Sequence, residues 1–481
     1  MIETAVLSDL RYLAPALALV AAAVVALLLH VFLRWRGPRA AGWAALSGVV
    51  LALVLLAAGR AAPGPLFAGG IRVDAFALFV QLTVLLATGL AILLAFRFFG
   101  AEQCEPGEVY PLFLLAAVGM MTAVAAADLV TLYVSFELFA VTSYVLAGIF
   151  KKDPRSSEAG VKYFFLGTLS SGCMLLGMAL VFGLSGETSY AAAGRALAGA
   201  NEHIALAAMI LFFAGLFFKA AFIPFHMWAP DIYEGAPTPV AVFLSTASKA
   251  AVLGILIRAM TSLFGGLSAH WLAIFQALAL ATMFWGNIAA LLQDNIKRLL
   301  AYSSIAHAGY LAIGLAAWSE AARGAVLFYL FVYVFMNAAA FSVVLLARRG
   351  QGFNENVADL RGLVRTSPLA AASVLVVLLS LTGIPPTAGF MGKYLLFAAA
   401  VEKKLYLLAA AGALNSVISL FYYFRIGRAI FMEEEPDAAS APPPAAWSVR
   451  TVMVIAALVL LLAGLWPSRL LELAGVSTLW P

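Results

Sequence analysis

Long apolar runs separated by short polar stretches dominate this chain. The runs cover about 13–33, 41–59, 74–96, 110–127, 129–150, 159–183, 203–227, 238–262, 269–292, 299–317, 323–347, 368–400, 403–431 and 449–466. Each is close to the roughly 20 residues that a helix needs to cross a bilayer core of about 30 Å. The pattern predicts an all-α polytopic membrane protein with about fourteen transmembrane helices. The segment 60–73 (RAAPGPLFAGGIRV) reads as a turn or short hairpin, and 184–202 as a polar Gly/Ala-rich connection. The stretch MEEEPDAASAPPPAA reads as a charged, Pro-rich linker before the last run.

Two runs are not smooth. Lys219 lies in LFFKAAF and is followed five residues later by Pro224, which removes a backbone donor and breaks a helix. Pro385 and Pro386 interrupt the twelfth run, with Lys393 in its second half. The two broken runs are five spans apart and therefore run in opposite directions. That echo predicts two inverted five-helix repeats with discontinuous helices seven and twelve. The expected division is 1–109 for the first three helices, 110–262 and 263–431 for the repeats, and 432–481 for the linker and last helix.

Composition agrees. The 481 residues are 64% hydrophobic and 11% charged, against about 45–50% and 25% in soluble domains. The first run is too long for a signal-peptide core. The net charge of +5 is spread over loops, so no nucleic-acid partner is expected, only the bilayer and other proteins. Lys and Arg are more frequent in the loops on the side opposite the termini, which places both termini outside. Cys104 and Cys173 have no metal-ligand or iron–sulfur spacing. GFMGKY looks like the end of a phosphate loop, but Thr387 and Tyr394 stand where that loop needs Gly and Ser or Thr. No group that carries electrons or a metal is expected in this chain.

The polar residues inside the runs are Glu137, Lys219, His226, Lys249, His307 and Lys393. A lysine at the bilayer centre costs about 2.5–3.5 kcal/mol. Snorkelling suits Lys162, near the start of its run, better than Lys219 in the middle of one. Lys249 follows the APDIYEGAPTP turn by a distance that places it near the midplane. Glu137 lies about 12 Å in. A carboxylate there needs a partner, and Lys219 is the nearest candidate in the order of the spans. His226, in IPFHMW, and His307, in AYSSIAHAGY, are either proton relays or hydrogen-bonded core residues. His30, His203 and His270 fall near span ends.

The stretches FELFAVTSYVLAGI, KAAFIPFHMWAPDIYEGAPTPVAVFLSTASK, NIKRLLAYSSIAHAGY and GIPPTAGFMGKYLLF resemble the antiporter-like subunits of respiratory complex I. The resemblance runs from about 74 to 430. It implies a proton-translocating, non-redox membrane subunit of NADH:quinone oxidoreductase, coupling quinone reduction to proton transfer along the membrane midplane. NADH, FMN, iron–sulfur clusters and quinone would then belong to partner subunits, peripheral and membrane. It implies a place in the cell's inner (plasma) membrane with periplasmic termini. By motif, Glu137 matches the helix-five glutamate, Lys219 the helix-seven lysine, Lys249 the central lysine of helix eight and Lys393 the terminal lysine of helix twelve. A subunit of a related cation/proton antiporter or membrane-bound hydrogenase, or a subunit with a purely structural role, would share much of this pattern.

Overall fold

The computed structural model describes residues 2–32, 37–59, 64–102, 107–346, 355–433 and 445–476. Cys104, the basic residues Arg34, Arg36, Arg60, Arg348 and Arg349, and the linker 434–444 lie outside them. Helices α1 (Ile2–Phe32) and α2 (Gly37–Ala58) pack together. A hairpin follows, with β1 (Gly64–Leu66) antiparallel to β2 (Ile71–Val73), as the Pro/Gly composition of that stretch predicts. Then come α3 (Ala75–Glu102), α4 (Val109–Ala125), α5 (Leu129–Ala147) and α6 (Pro154–Ser185). Asp128 separates α4 from α5 by accepting from the amides of Val130 and Thr131, the N-cap expected of an aspartate there. The polar connection after α6 is not wholly irregular, because it holds the short helix α7 (Tyr190–Leu197).

The middle of the chain forms the interior. Its elements are α8 (Glu202–Ala220), α9 (Trp228–Gly235), α10 (Thr238–Phe243), α11 (Lys249–Ser262), α12 (Ser268–Leu291), α13 (Ile296–Ala317) and α14 (Glu320–Ser342). Helices α10, α11, α13 and α14 are buried on nearly every side. Around them, α1, α2, α5, α6 and α12 each leave one apolar side exposed. Close approach is achieved with small residues: a Cβ on Gly286 or Gly309 would collide with the facing backbone of α13 or α12. The chain continues with α15 (Leu363–Thr366), α16 (Pro368–Thr382), α17 (Ala388–Glu402), α18 (Tyr406–Phe431), α19 (Trp447–Leu465) and α20 (Ser468–Val476). Among the described residues, twelve helices are long and apolar enough to cross a membrane, and the apolar Val109–Ala125 and Pro368–Thr382 are shorter.

The two helix breaks share a geometry. α8 stops at Ala220, seven residues short of the predicted end, because Ala221 adopts a left-handed conformation (φ 61°). The Phe222 amide then donates to the Phe217 carbonyl at 3.0 Å and the Ala221 amide to Phe218 at 2.9 Å. α16 stops at Thr382, followed by left-handed Gly383 (φ 88°). There the Ile384 amide donates to Leu379 at 2.9 Å and the Gly383 amide to Ser380 at 3.1 Å. Both are Schellman ends, which tie off two helix-terminal carbonyls and leave others free. The breaks are 162 residues apart (383 − 221). Between α10 and α11 the backbone widens into a π turn, Leu244–Ser248. The Ser245 and Thr246 hydroxyls donate back to the Val242 carbonyl there, at 3.0 and 2.6 Å.

Candidate functional site

All three predicted interior lysines are buried, and each ammonium has a different kind of partner. Lys219, at the last turn of α8, donates to the Tyr163 hydroxyl of α6 at 3.1 Å. Its Nζ also lies 4.5 Å from the ring centres of Tyr144 and Tyr163 and 5.4 Å from Phe139. An ammonium stripped of water is thus held by ring faces and one hydroxyl. Tyr163 stacks on Trp228, with centres 4.7 Å apart, and the Trp228 indole donates at 2.7 Å to the Phe218 carbonyl beside the break.

Lys249 begins α11 just after the π turn. It donates to the carbonyl and to the hydroxyl of Ser304 on α13, both at 2.6 Å. The Tyr333 hydroxyl of α14 meets the same Ser304 hydroxyl at 2.8 Å, and Tyr233 of α9 interacts with it too. One turn along α13, His307 sits between two phenols. Its Nδ1 is 2.6 Å from the Tyr329 hydroxyl and its Nε2 3.1 Å from that of Tyr423 on α18. A hydroxyl can donate or accept, so this imidazole can take a proton at one nitrogen and release one at the other. Tyr423 is also in short contact with the Ser303 hydroxyl.

Lys393 lies in α17 and folds back across its own break. It donates to the carbonyls of Leu381 at 3.0 Å and Thr382 at 2.9 Å, the free end of α16. Its Nζ stands 4.4 Å from the ring centre of Tyr310, three residues past His307 on α13. Ser304, His307 and Tyr310 therefore link Lys249 to Lys393 along one helix. Between Lys219 and Lys249 the link is ring to ring, from Tyr163 through Trp228 to Tyr233.

Two predicted residues are placed differently. Glu137 makes no ion pair with Lys219 within 4.0 Å among the described residues, although its charge is felt at Lys219. α5 turns Glu137 to the edge of an exposed apolar stripe formed by Val130, Val134, Leu138, Val141 and Val145. Its Oε1 is buried there without a hydrogen-bond partner. Beside the stripe, α5 and α6 form an open apolar groove lined by Val134, Leu175 and Phe182. His226 is buried in the first break against Trp285 of α12, with ring centres 6.0 Å apart, and stands apart from the lysine chain.

The list of interior polar residues was too short. Arg258, near the end of the eighth run, is buried on α11 and forks onto Asp74 at 3.1 and 3.2 Å, with its Nε on the Val124 carbonyl at 2.6 Å. Lys297 is buried between Glu355 and the Ala236 carbonyl. Lys162 is not simply snorkelling. It pairs with Asp231 of α9 at 2.8 Å, and Arg298 pairs with both Asp231 and Glu234. Asn287, Asn415 and the tyrosines were missed because such residues are common and uncharged. The signal that could have found part of the chain is the three-residue spacing of Ser304, His307 and Tyr310. Among the described residues, no group of three His, Cys, Asp or Glu side chains is placed to hold a metal.

Residues 126–419 match the family model described as NADH:quinone oxidoreductase/Mrp antiporter, TM. Curated relatives include NADH-quinone oxidoreductase subunit N of Trichlorobacter lovleyi, 39% identical over 97% of this chain and 96% of the relative. The subunit N of Paramagnetospirillum magneticum is 38% identical over 98% of this chain and 97% of that one. The chain belongs to the subunit N family of NADH-quinone oxidoreductases. A chain of respiratory complex I from Thermus thermophilus superposes on this subunit N family member with a TM-score of 0.81 at 33% identity, covering 96% of this chain and 99% of that one. A chain of the Mrp complex from a Dietzia species has a TM-score of 0.84 at 24% identity, covering 98% and 97%, which shows the shared fold.

Proposed function

We propose that the chain is a proton-translocating subunit of a membrane NADH:quinone oxidoreductase, with no redox group of its own. Protons load and leave Lys219, Lys249 and Lys393, with His307 relaying between the last two and Glu137 responding at the entry edge. The observation that carries this is the chain of contacts along α13, Lys249–Ser304, His307 between two phenols, and Tyr310 under Lys393. Buried ammonium groups with acceptors and a two-sided imidazole can change protonation state, whereas a buried structural cation is normally matched by a carboxylate. His226, apart from this chain of contacts, takes no step in the path.

The matching breaks support two inverted repeats at 110–262 and 263–431, between helices 1–109 and the segment 432–481, with the two shorter apolar helices completing fourteen spans. The termini face the periplasm, from the Lys and Arg of the loops. Energy arrives from partner subunits that hold the redox cofactors. The test is NADH-driven proton pumping by the assembled complex in proteoliposomes. Lys249→Ala should assemble and lose pumping; pumping at the parent rate would leave the chain a structural role.

A further inference from the structure

The Tyr310 end of the polar chain meets a buried amide cluster. Asn287 of α12 and Asn415 of α18 are both fully buried. Asn287 Nδ2 donates to the Met283 carbonyl at 3.0 Å and to Asn415 Oδ1 at 2.9 Å. Asn415 Nδ2 donates to the Ala411 carbonyl at 2.9 Å. Backbone carbonyls only accept, so these contacts fix which way both amides point. Asn287 Oδ1 then accepts from the Tyr422 hydroxyl at 2.9 Å. The Tyr310 hydroxyl lies 3.5 Å from Asn287 Nδ2, whose two protons are already committed.

Tyr422 is the neighbour of Tyr423, with ring centres 4.4 Å apart, and Tyr423 touches His307. The polar contacts that lead from His307 through the two phenols thus end at one side-chain amide, with Tyr310 beyond it under Lys393. A hydroxyl or imidazole passes a proton by taking one and giving another. An amide oxygen accepts and its nitrogen donates, but handing a proton across would require an imidic acid. Asn287 therefore orients the Tyr422 hydroxyl and carries no proton onward to Tyr310.

We infer that Asn287 is a positioning residue that interrupts proton hopping between the His307–Tyr423–Tyr422 group and the Tyr310–Lys393 group. The inference rests on the proton-path reading above. It makes transfer between these two groups depend on the redox-driven step rather than on a standing hydrogen-bonded wire. A wire there would let protons slip back.

The test compares two substitutions in the assembled complex in proteoliposomes. Asn287→Asp places a carboxyl in the gap that can take a proton from the Tyr422 side and release it toward Tyr310. Asn287→Leu has nearly the same volume and nothing to titrate. Asn287→Asp should lower the protons pumped per NADH while NADH oxidation continues. Its passive leak without NADH should rise about a hundredfold, the low end of what a positioned acid–base group supplies. Asn287→Leu should slow turnover and keep the parental ratio. A parental ratio and leak in Asn287→Asp overturn the inference, as does an equal loss of ratio in Asn287→Leu. If Asn287→Asp does not assemble, Asn287→Ser puts a hydroxyl that can take and give a proton at the same place, and a raised or parental leak decides in the same way. Lys249→Ala, measured alongside, separates the two claims: full pumping there defeats the proton path itself, whereas loss there with a parental Asn287→Asp defeats this inference alone.

Discussion

An ammonium group with one hydroxyl and one carbonyl as acceptors, as at Lys249, can give up its proton when those acceptors shift. Arginine cannot, because its pKa stays above about 12. Lys249→Arg should therefore assemble and keep its charge, yet lose proton-coupled turnover by about a hundredfold or more, the low end of a proton carrier's contribution. Quinone-dependent pumping, with assembly checked in parallel, measures this. Asp231 makes a different prediction. Burial pushes its carboxyl up, but the hydrogen bonds from Lys162 and Arg298 outweigh that and hold it below the usual value. A depressed carboxyl stabilises above its ordinary pKa of about 3.9, and that contribution is lost as pH falls through the lower folded value. The Tm gap between parent and Asp231→Asn should be small, constant from pH 8 to 5, and close only below about pH 4. The lysines were legible in the sequence because a lone charge in an apolar run is expensive. Their acceptors were not, since Ser304 and Tyr163 carry no cost until the fold aims them inward, and span order, which does not fix helix rotation, gives no measure of how far Glu137 stands from Lys219, whose charges act on each other without a direct ion pair among the described residues.

At the scale of elements, prolines marked both breaks, yet neither helix ends at its proline. The chain leaves the helix earlier, through left-handed Ala221 and Gly383, three and two residues before Pro224 and Pro385. Gly389 keeps the second break tight. Its amide donates to the Ser380 hydroxyl at 3.0 Å, and a Cβ there would run into the Ser380 carbonyl. Gly389→Ala should push α17 off the end of α16, at an overpacking cost of about 1–3 kcal/mol. Lys393 would then lose the Leu381 and Thr382 carbonyls. Pumping per NADH should fall more than the amount of assembled complex on a native gel; equal falls would make the contact a packing matter only. The apolar runs gave most helices within a few residues. They missed α7 and the π turn, which are set by neighbours rather than by hydropathy.

For the whole molecule, the sequence gives the membrane class easily and the internal ties poorly, since an arginine such as Arg258 near a run's end reads as a loop residue until Asp74 is brought to it. Arg258→Leu would leave Asp74 beside a missing partner at a cost of about 3–5 kcal/mol, while the double change Arg258→Leu with Asp74→Leu should recover part of it. Thermal unfolding of the detergent-solubilised complex measures both. The spacing along α13 has one more consequence. From Ser304 to Tyr310 is six residues (310 − 304), or about 9 Å of rise. With α13 along the membrane normal, the backbone positions that meet Lys249 and Lys393 differ in depth by about 0.3 of a 30 Å core, which a charge passing between them would cross. At about 2.3 kcal/mol per 100 mV for a full crossing, that leg alone works against about 0.7 kcal/mol of membrane voltage. What looks like lateral conduction along a buried chain is then partly transport across the membrane, and its rate should slow by about threefold per 100 mV of opposing potential.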